Sequence, residues 1–358
     1  MNHFKEYLER TSPHIHRDTK NLGREWKSDL LAEITVPEYL RPVLNWFEHC
    51  GKGMRGTLVH LSADSFSNTS RANLQPNVKK YAALVELLQN ALIVHDDVMD
   101  QSNWRRNGLS VPTECATRLH AHNYPRAEEK GNALSIALGD HLISWVQQKL
   151  IDFTPTEKAV RLYNLFSKYQ TTTMAGQIQD VANLTLQVNK EMIVDVYAAK
   201  TGSYTFTLPL VLGYATSSSN LDFSIIILLE CIGQSLGIIM QGLDDEAGFS
   251  KSDESYHELA SDLENHQPSL WLSIMVPLLS EHEKTSLDKI WWGGMVTRGE
   301  TAFVRQLYEK YEIHSKLTDL YRTEARLAHE LINELDIGSE YNKIWHGLVQ
   351  YILQPKQS

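Results

Sequence analysis

The amino-acid sequence predicts an all-α fold, a large helical bundle. Apolar residues recur at three-and-four spacing along most of the 358 residues. No stretch alternates as a strand does, and no short repeat or Gly-rich phosphate loop interrupts the pattern. With 42% hydrophobic and 22% charged residues, the composition is that of a globular chain able to bury a large core.

Taken in order, the first segment, MNHFKEYLERTSPHIHRD, has no apolar stretch of the kind that opens a signal peptide. Its Ser, Pro and His residues, with His14 and His16 among them, predict a loose terminus. Helical patterning is expected over 26–48. It is clearest in YAALVELLQNALIVHDD, where Tyr81, Leu84, Val85, Leu88 and Leu92 share one face. Further helices are expected over 133–152, 156–185, 190–213, 271–292 and 301–335. The most apolar run, SIIILLECIGQSLGIIMQGL (224–243), is interrupted by Glu230, Gln234 and Gln241. It predicts a fully buried core helix and no transmembrane segment. Breakers gather at 64–79, 101–131, 214–222 and 247–268. None is long or biased enough for a linker, so the chain is read as a single domain, 1–358.

The formal net charge is −10, from 34 basic and 44 acidic residues. That argues against a nucleic-acid partner, because such binding rests on Lys and Arg neutralising phosphate. The cysteines, Cys50, Cys115 and Cys231, are odd in number and widely spaced. They suggest neither a disulfide framework nor a CxxC site, and point to a reducing, cytoplasmic compartment.

The charge that remains is concentrated. In VHDDVMDQSNWRRNG, Asp96 and Asp100 lie four apart, so a helix turns both the same way, with Asp97 beside them. Like charges at that spacing repel unless something compensates, and a hard divalent cation such as Mg²⁺ does so. Asp244 and Asp245 end the other strongly apolar helix, in GIIMQGLDDEAG. Two buried helices that both finish in paired aspartates suggest carboxylates lining one cavity, where Mg²⁺ would present open positions to a polyphosphate. Lys52 and Arg55 in GKGMRG, Arg105 and Arg106, and Lys200 in KTGSYTF supply cations suited to phosphate. Together these residues describe a metal-assisted diphosphate site.

This ordered set resembles the trans-prenyltransferases of the isoprenoid synthase family, and most of all the eukaryotic type of farnesyl diphosphate synthase. VELLQNALIVHDDVMDQSNWRRNG resembles that family's first aspartate-rich motif with its arginine pair. GKGMRG resembles its basic isopentenyl-diphosphate motif. GQIQD (176–180), KTGSYTF (200–206) and GIIMQGLDD (237–245) follow in the family's order, and the likeness spans roughly residues 45–270. It implies antiparallel helices around a deep central cavity, usually in a homodimer. It also implies an enzyme that condenses an allylic diphosphate with isopentenyl diphosphate, using three Mg²⁺ ions. On that likeness Asp96, Asp100 and Asp244 would bind metal, with Asp97 supporting them. Arg105 and Lys200 would grip the allylic diphosphate. Lys52, Arg55, Gln89 and Arg106 would hold isopentenyl diphosphate. Thr201, the Lys200 carbonyl and Gln241 would lie near the developing cation, with the Tyr204 position close by. Ala91 and Leu92 stand where farnesyl synthases of this type carry aromatics. Smaller side chains one turn below Asp96 would deepen the pocket, unless Tyr81 or Trp145 closes it.

The sequence also departs from that pattern. The second motif reads DDEAG, with Gly248 where an acid is usual. Gln267, in SDLENHQPSLW, stands near the place where the family usually has a lysine, and Lys251 is a candidate to compensate for another lysine. YILQPKQS has no basic tail. Two other readings therefore stand beside chain elongation. One is a class I terpene synthase or atypical prenyltransferase that ionises a prenyl diphosphate. The other is a weakly active partner subunit of a heteromeric synthase.

Overall fold

The structure, a computed structural model, describes residues 2–67, 76–153, 156–182, 186, 189–218, 220–249, 259–260 and 262–354. Lys251 and the end of the C-terminal segment, 355–358, lie outside these. The fold is all-α, and among the described residues the only strands are a two-residue pair. The chain divides into two compact units. One comprises Glu6–Phe166 and Pro209–Leu221; the other comprises Met1–Lys5, Ser167–Leu208 and Asp222–Ser358.

Helix α1 runs from His3 to Glu33, with Pro13 inside it. The terminus is therefore a long helix where a loose segment was expected. Phe4, Leu8, Ile15, Thr19, Trp26 and Leu30 are all buried. Their alternating steps of four and seven residues keep one stripe inward past the proline. Pro13 and the scattered histidines hid that period.

The first unit is built around α2 (Met54–Ser65) and α3 (Pro76–Met99). Arg55–Ala63 of α2 is buried without a break. The face predicted for α3 is buried, and so are Ala82, Ala83 and Leu87, so the helix is covered on every side. The buried Glu86 carboxylate accepts the Gly56 N–H at 2.8 Å and ties the two helices together. The helix expected over 26–48 ends at Glu33 and resumes as a 3₁₀ segment, Arg41–Glu48. The supposed loop at 101–131 holds a hairpin and α4 (Val111–Ala121), followed by α5 (Ala127–Asp152). Helix α6 covers Thr156–Ala182, and α8 covers Leu208–Ser217.

In the second unit, α7 (Lys190–Tyr197) opens on an Asn189 cap and passes into a π-helical segment, Ala198–Thr207. Helix α9 (Phe223–Glu246) lies against that segment. The approach is so close that a methyl group on Gly237 would collide with Gly202. The helix through Phe223–Phe249 has the length and hydropathy to cross a membrane, but half of its most apolar window is buried within the protein. It is not buried throughout, because Phe223 is 73% and Ile227 57% exposed. The remaining helices are α10 (Leu270–Met275), α11 (Glu281–Trp291), α12 (Arg298–Lys310), α13 (Ile313–Glu334) and α14 (Ser339–Ile352). The expected 271–292 and 301–335 helices are each split. The Ser280–Glu283 capping box starts α11 after Pro277, and Glu312, in a left-handed conformation, separates α12 from α13.

Candidate functional site

Two groups of the predicted residues assemble, one in each unit. In the first unit, α3 remains helical through its aspartates, with the Asp100 N–H bonded to the Asp96 carbonyl at 2.8 Å. Asp96 and Asp100 are half-buried one turn apart, whereas Asp97 is fully buried. Trp104–Arg105 and Gly108–Leu109 pair as a hairpin. Its turn residues, Arg106 and Asn107, have φ of 55° and 62°. This is the pattern of a two-residue type I′ turn. The left-handed region costs a non-glycine residue about 1–2 kcal/mol, so the hairpin must be held by its side chains.

Arg105 bonds Asp97 through Nη2 at 2.5 Å and Nε at 2.8 Å. Burial lifts the Asp97 carboxyl above its ordinary range against the pull of Arg105. Burial also opposes the Arg105 charge, but the hydrogen bonds to Asp97 and the charges of Asp97, Asp96 and Asp100 win, and its pKa rises. The grip expected of Arg105 on a diphosphate therefore competes with a half-buried ion pair to Asp97.

Arg106 is held differently. Its Nη1 donates to the His49 carbonyl at 2.9 Å and its Nη2 to Asn90 Oδ1 at 2.8 Å. The guanidinium lies 4.7 Å from the Trp46 ring centre. Lys52 is exposed and Arg55 is buried, on either side of Gly53, whose φ of 70° makes the turn into α2. His16 belongs to this group: its Nε2 lies 2.8 Å from the Gly51 carbonyl. Gln89 is half-buried beside Asn90.

Ala91 and Leu92 are buried in α3. The two bulky residues considered as a floor are tied elsewhere. The Trp145 indole donates to Asp29 at 2.8 Å, and the Tyr81 hydroxyl reaches the Leu150 carbonyl. His95 turns onto α5, 3.1 Å from the Ile136 carbonyl and 3.5 Å from Asp140.

In the second unit, Lys200 and Thr201 sit on the π-helical segment and Gln241, Asp244 and Asp245 on α9. Gly176 lets α6 lie against Ala199 and Lys200. One turn further along α6, Asp180 accepts from Lys200 Nζ at 2.6 Å. Thr201 donates to Gln241 Oε1 at 2.6 Å, and Gln241 Nε2 donates to Asp245 at 2.8 Å. The Tyr197 hydroxyl also donates to Asp245 and accepts the Leu270 N–H at 3.0 Å. Burial and the nearby Asp262 charge raise the Asp245 carboxyl well above its usual range. Burial likewise raises the Tyr197 hydroxyl, which keeps its proton and remains a donor. Asp180, Tyr197, Lys200, Gln241 and Asp245 line a small pocket with Asp262 and Gln267 on its wall; Thr201 and Asp244 are not part of its lining.

The rest of the DDEAG motif turns away from that pocket. Glu246 accepts from the Tyr308 hydroxyl and lies 3.0 Å from His314 Nδ1. Gly248 is buried, its carbonyl bonded by Arg305 at 2.9 Å. A Cβ on Gly248 would stand 3.0 Å from the Leu259 nitrogen, so the backbone leaves little room for the missing acid.

Among the described residues, no three His, Cys, Asp or Glu side chains could cage a metal ion. The donor set still suits Mg²⁺. Asp96 and Asp100 offer hard oxygens from one face, and Mg²⁺ commonly takes one or two carboxylates and completes its octahedron with water and substrate phosphate.

The family model for polyprenyl synthetases matches residues 36–308. The chain belongs to the polyprenyl synthetase family. It is 24% identical to a geranylgeranyl diphosphate synthase of Sulfolobus acidocaldarius over 284 residues, covering 78% of this chain and 79% of that protein. It is likewise 24% identical to the geranylgeranyl diphosphate synthase of Saccharolobus solfataricus, with 85% of each covered. A geranylgeranyl pyrophosphate synthase of Corynebacterium glutamicum, solved with isoprenyl diphosphate and magnesium, superposes with a TM-score of 0.82 at 21% identity, covering 97% of this chain and 99% of the other. The polyprenyl synthetase membership makes this chain a prenyltransferase, and the fold is that of its relatives. Asn90, Tyr197 and Asp180 went unremarked in the sequence. For Asn90 the available signal was a polar residue within an otherwise buried helix.

Proposed function

We propose that the chain is a Mg²⁺-dependent trans-prenyl diphosphate synthase, joining an allylic diphosphate to isopentenyl diphosphate as one isoprenoid synthase domain. The observation that carries this reading is the basic group around Arg106. A chain that only ionised a prenyl diphosphate would have no use for an isopentenyl-diphosphate pocket. Lys52, Arg55, Gln89 and Arg106 are assigned to isopentenyl diphosphate, and Arg105 and Lys200 to the allylic diphosphate. Asp96, Asp100 and Asp244 are assigned to three Mg²⁺ ions. A homodimer in the cytoplasm is part of the same proposal.

Magnesium, when bound, would neutralise charge on the departing diphosphate. The chain's own contribution near the cation follows from its hydrogen bonds. Asp245 accepts the Gln241 amide N–H, so the Gln241 oxygen faces Thr201 and accepts the hydrogen bond of its hydroxyl. The Thr201 oxygen then has only lone pairs to offer a developing positive charge. The apolar walls of the family's cavity would keep water from that charge.

A second reading, a terpene synthase or atypical prenyltransferase, is favoured by the DDEAG end of α9, where Gly248 is closely packed and Glu246 is taken up by Tyr308 and His314. Diphosphate release decides between them. With dimethylallyl, geranyl or farnesyl diphosphate, synthase activity requires added isopentenyl diphosphate; release that ignores it supports the second reading.

A further inference from the structure

We propose that Asn90 is a positioning residue for isopentenyl diphosphate, setting Arg106 and the start of the Lys52 loop in one register. The inference rests on the synthase reading and extends it to a residue to which the family resemblance assigns no role.

Asn90 is fully buried on α3. Its amide nitrogen donates to the Phe47 carbonyl at 3.2 Å and the His49 carbonyl at 2.8 Å, and its oxygen accepts from Arg106 at 2.8 Å. Both donor hydrogens are engaged within the protein, and the oxygen faces Arg106. Asn90 therefore acts through its neighbours and does not touch substrate.

Those neighbours explain its value. The 3₁₀ segment ends at Glu48, where terminal carbonyls need donors, and Asn90 supplies two. The chain then enters Cys50–Gly51–Lys52, so the carbonyls Asn90 holds lie three to five residues before Lys52. His49 is bonded by Asn90 and Arg106 alike, closing a triangle of one amide, one carbonyl and one guanidinium. Arg106 sits on a strained turn and needs such a hold. An apolar side chain at residue 90 would leave the buried Phe47 carbonyl, the part-buried His49 carbonyl and the guanidinium edge without this partner. Neither the Asp97–Arg105 pair nor any aspartate of α3 takes part. The effect should therefore fall on one substrate and spare the other.

The test compares full-length wild type, Asn90→Ala, Arg106→Ala and the double variant. Asn90→Thr, close to Asn in volume but too short to bridge the triangle, is the second single variant should Asn90→Ala fail to fold. Isopentenyl diphosphate binding is read by calorimetry, and KM for each substrate by steady-state kinetics. Asn90→Ala or Asn90→Thr should raise Kd and KM for isopentenyl diphosphate about tenfold. KM for the allylic diphosphate and kcat should move less than about threefold. In the Arg106→Ala background the second substitution should add less than about twofold, because the two act as one unit. Equal loss for both substrates, or full additivity with Arg106→Ala, would overturn the proposal. If wild type neither binds nor consumes isopentenyl diphosphate, the synthase reading fails and takes this inference with it.

Discussion

At the end of α3 both arginines are held within the protein, one by an acid and one by neutral groups. Arg105 lies on Asp97, and Arg106 lies on Asn90 and the His49 carbonyl. At the end of α9 the acids bind neutral groups. Asp245 receives Tyr197 and Gln241, Glu246 receives Tyr308, and Gly248 has no side chain to offer. One region keeps in fixed positions the two arginines proposed to meet phosphate. The other has replaced part of an acidic motif by packing. The family's chemistry asks for both a held acceptor and a leaving group stripped of charge. On the proposed assignments, that contrast would put this chain's departure on the leaving-group side.

The largest effect expected lies at α3. Asp96→Ala should lower kcat about 1,000-fold with the fold retained, the upper range for losing one stabiliser of transition-state charge. Comparable loss from Asp244→Ala would show that the α9 end has kept its weight; a loss below tenfold would sharpen the contrast.

The stability of the first region carries a pH signature. Burial pushes His60, on α2, down to about 4. The unfolded imidazole takes its proton near 6.5 and the folded one only near 4. Stability should therefore fall as pH drops through that window, by ~3 kcal/mol at most, and level off below it. His60→Gln should flatten urea midpoints measured over the same range; an unchanged slope would contradict the assignment.

Gly248→Asp restores the family's acid where the backbone of Leu259 stands 3.0 Å from the new Cβ. Overpacking of this kind costs about 1–3 kcal/mol. The variant should melt several degrees lower with no gain in rate. A faster, equally stable enzyme would show that the missing acid is a simple loss, not one built into the packing. The smallest effect is expected for Tyr197→Phe. It removes one donor to Asp245 and should cost about 1 kcal/mol of stability, with a loss of activity below about tenfold.

Much of this was legible in the sequence because helical periodicity and short charged motifs are local signals. The α3 face, the DDVMD turn and the Lys–Arg pair of GKGMRG needed no tertiary information. Helix α1 was missed because its buried stripe steps around Pro13. The long predicted stretches were broken by capping at Ser280 and by the turn at Glu312, which periodicity does not register. At the site, charge could be read but commitment could not. The sequence marks Arg105 and Asp97 as functional charges without revealing that they bind each other, and it gives no sign of what Asn90 joins.

The most direct test of the account follows labelled isopentenyl diphosphate through the purified protein with Mg²⁺ and an allylic diphosphate. Label recovered in a longer prenyl diphosphate is the predicted result, and the number of units added measures how far Ala91 and Leu92 leave the pocket open. Diphosphate released with no label in any product, together with a hydrocarbon or alcohol, would contradict the account.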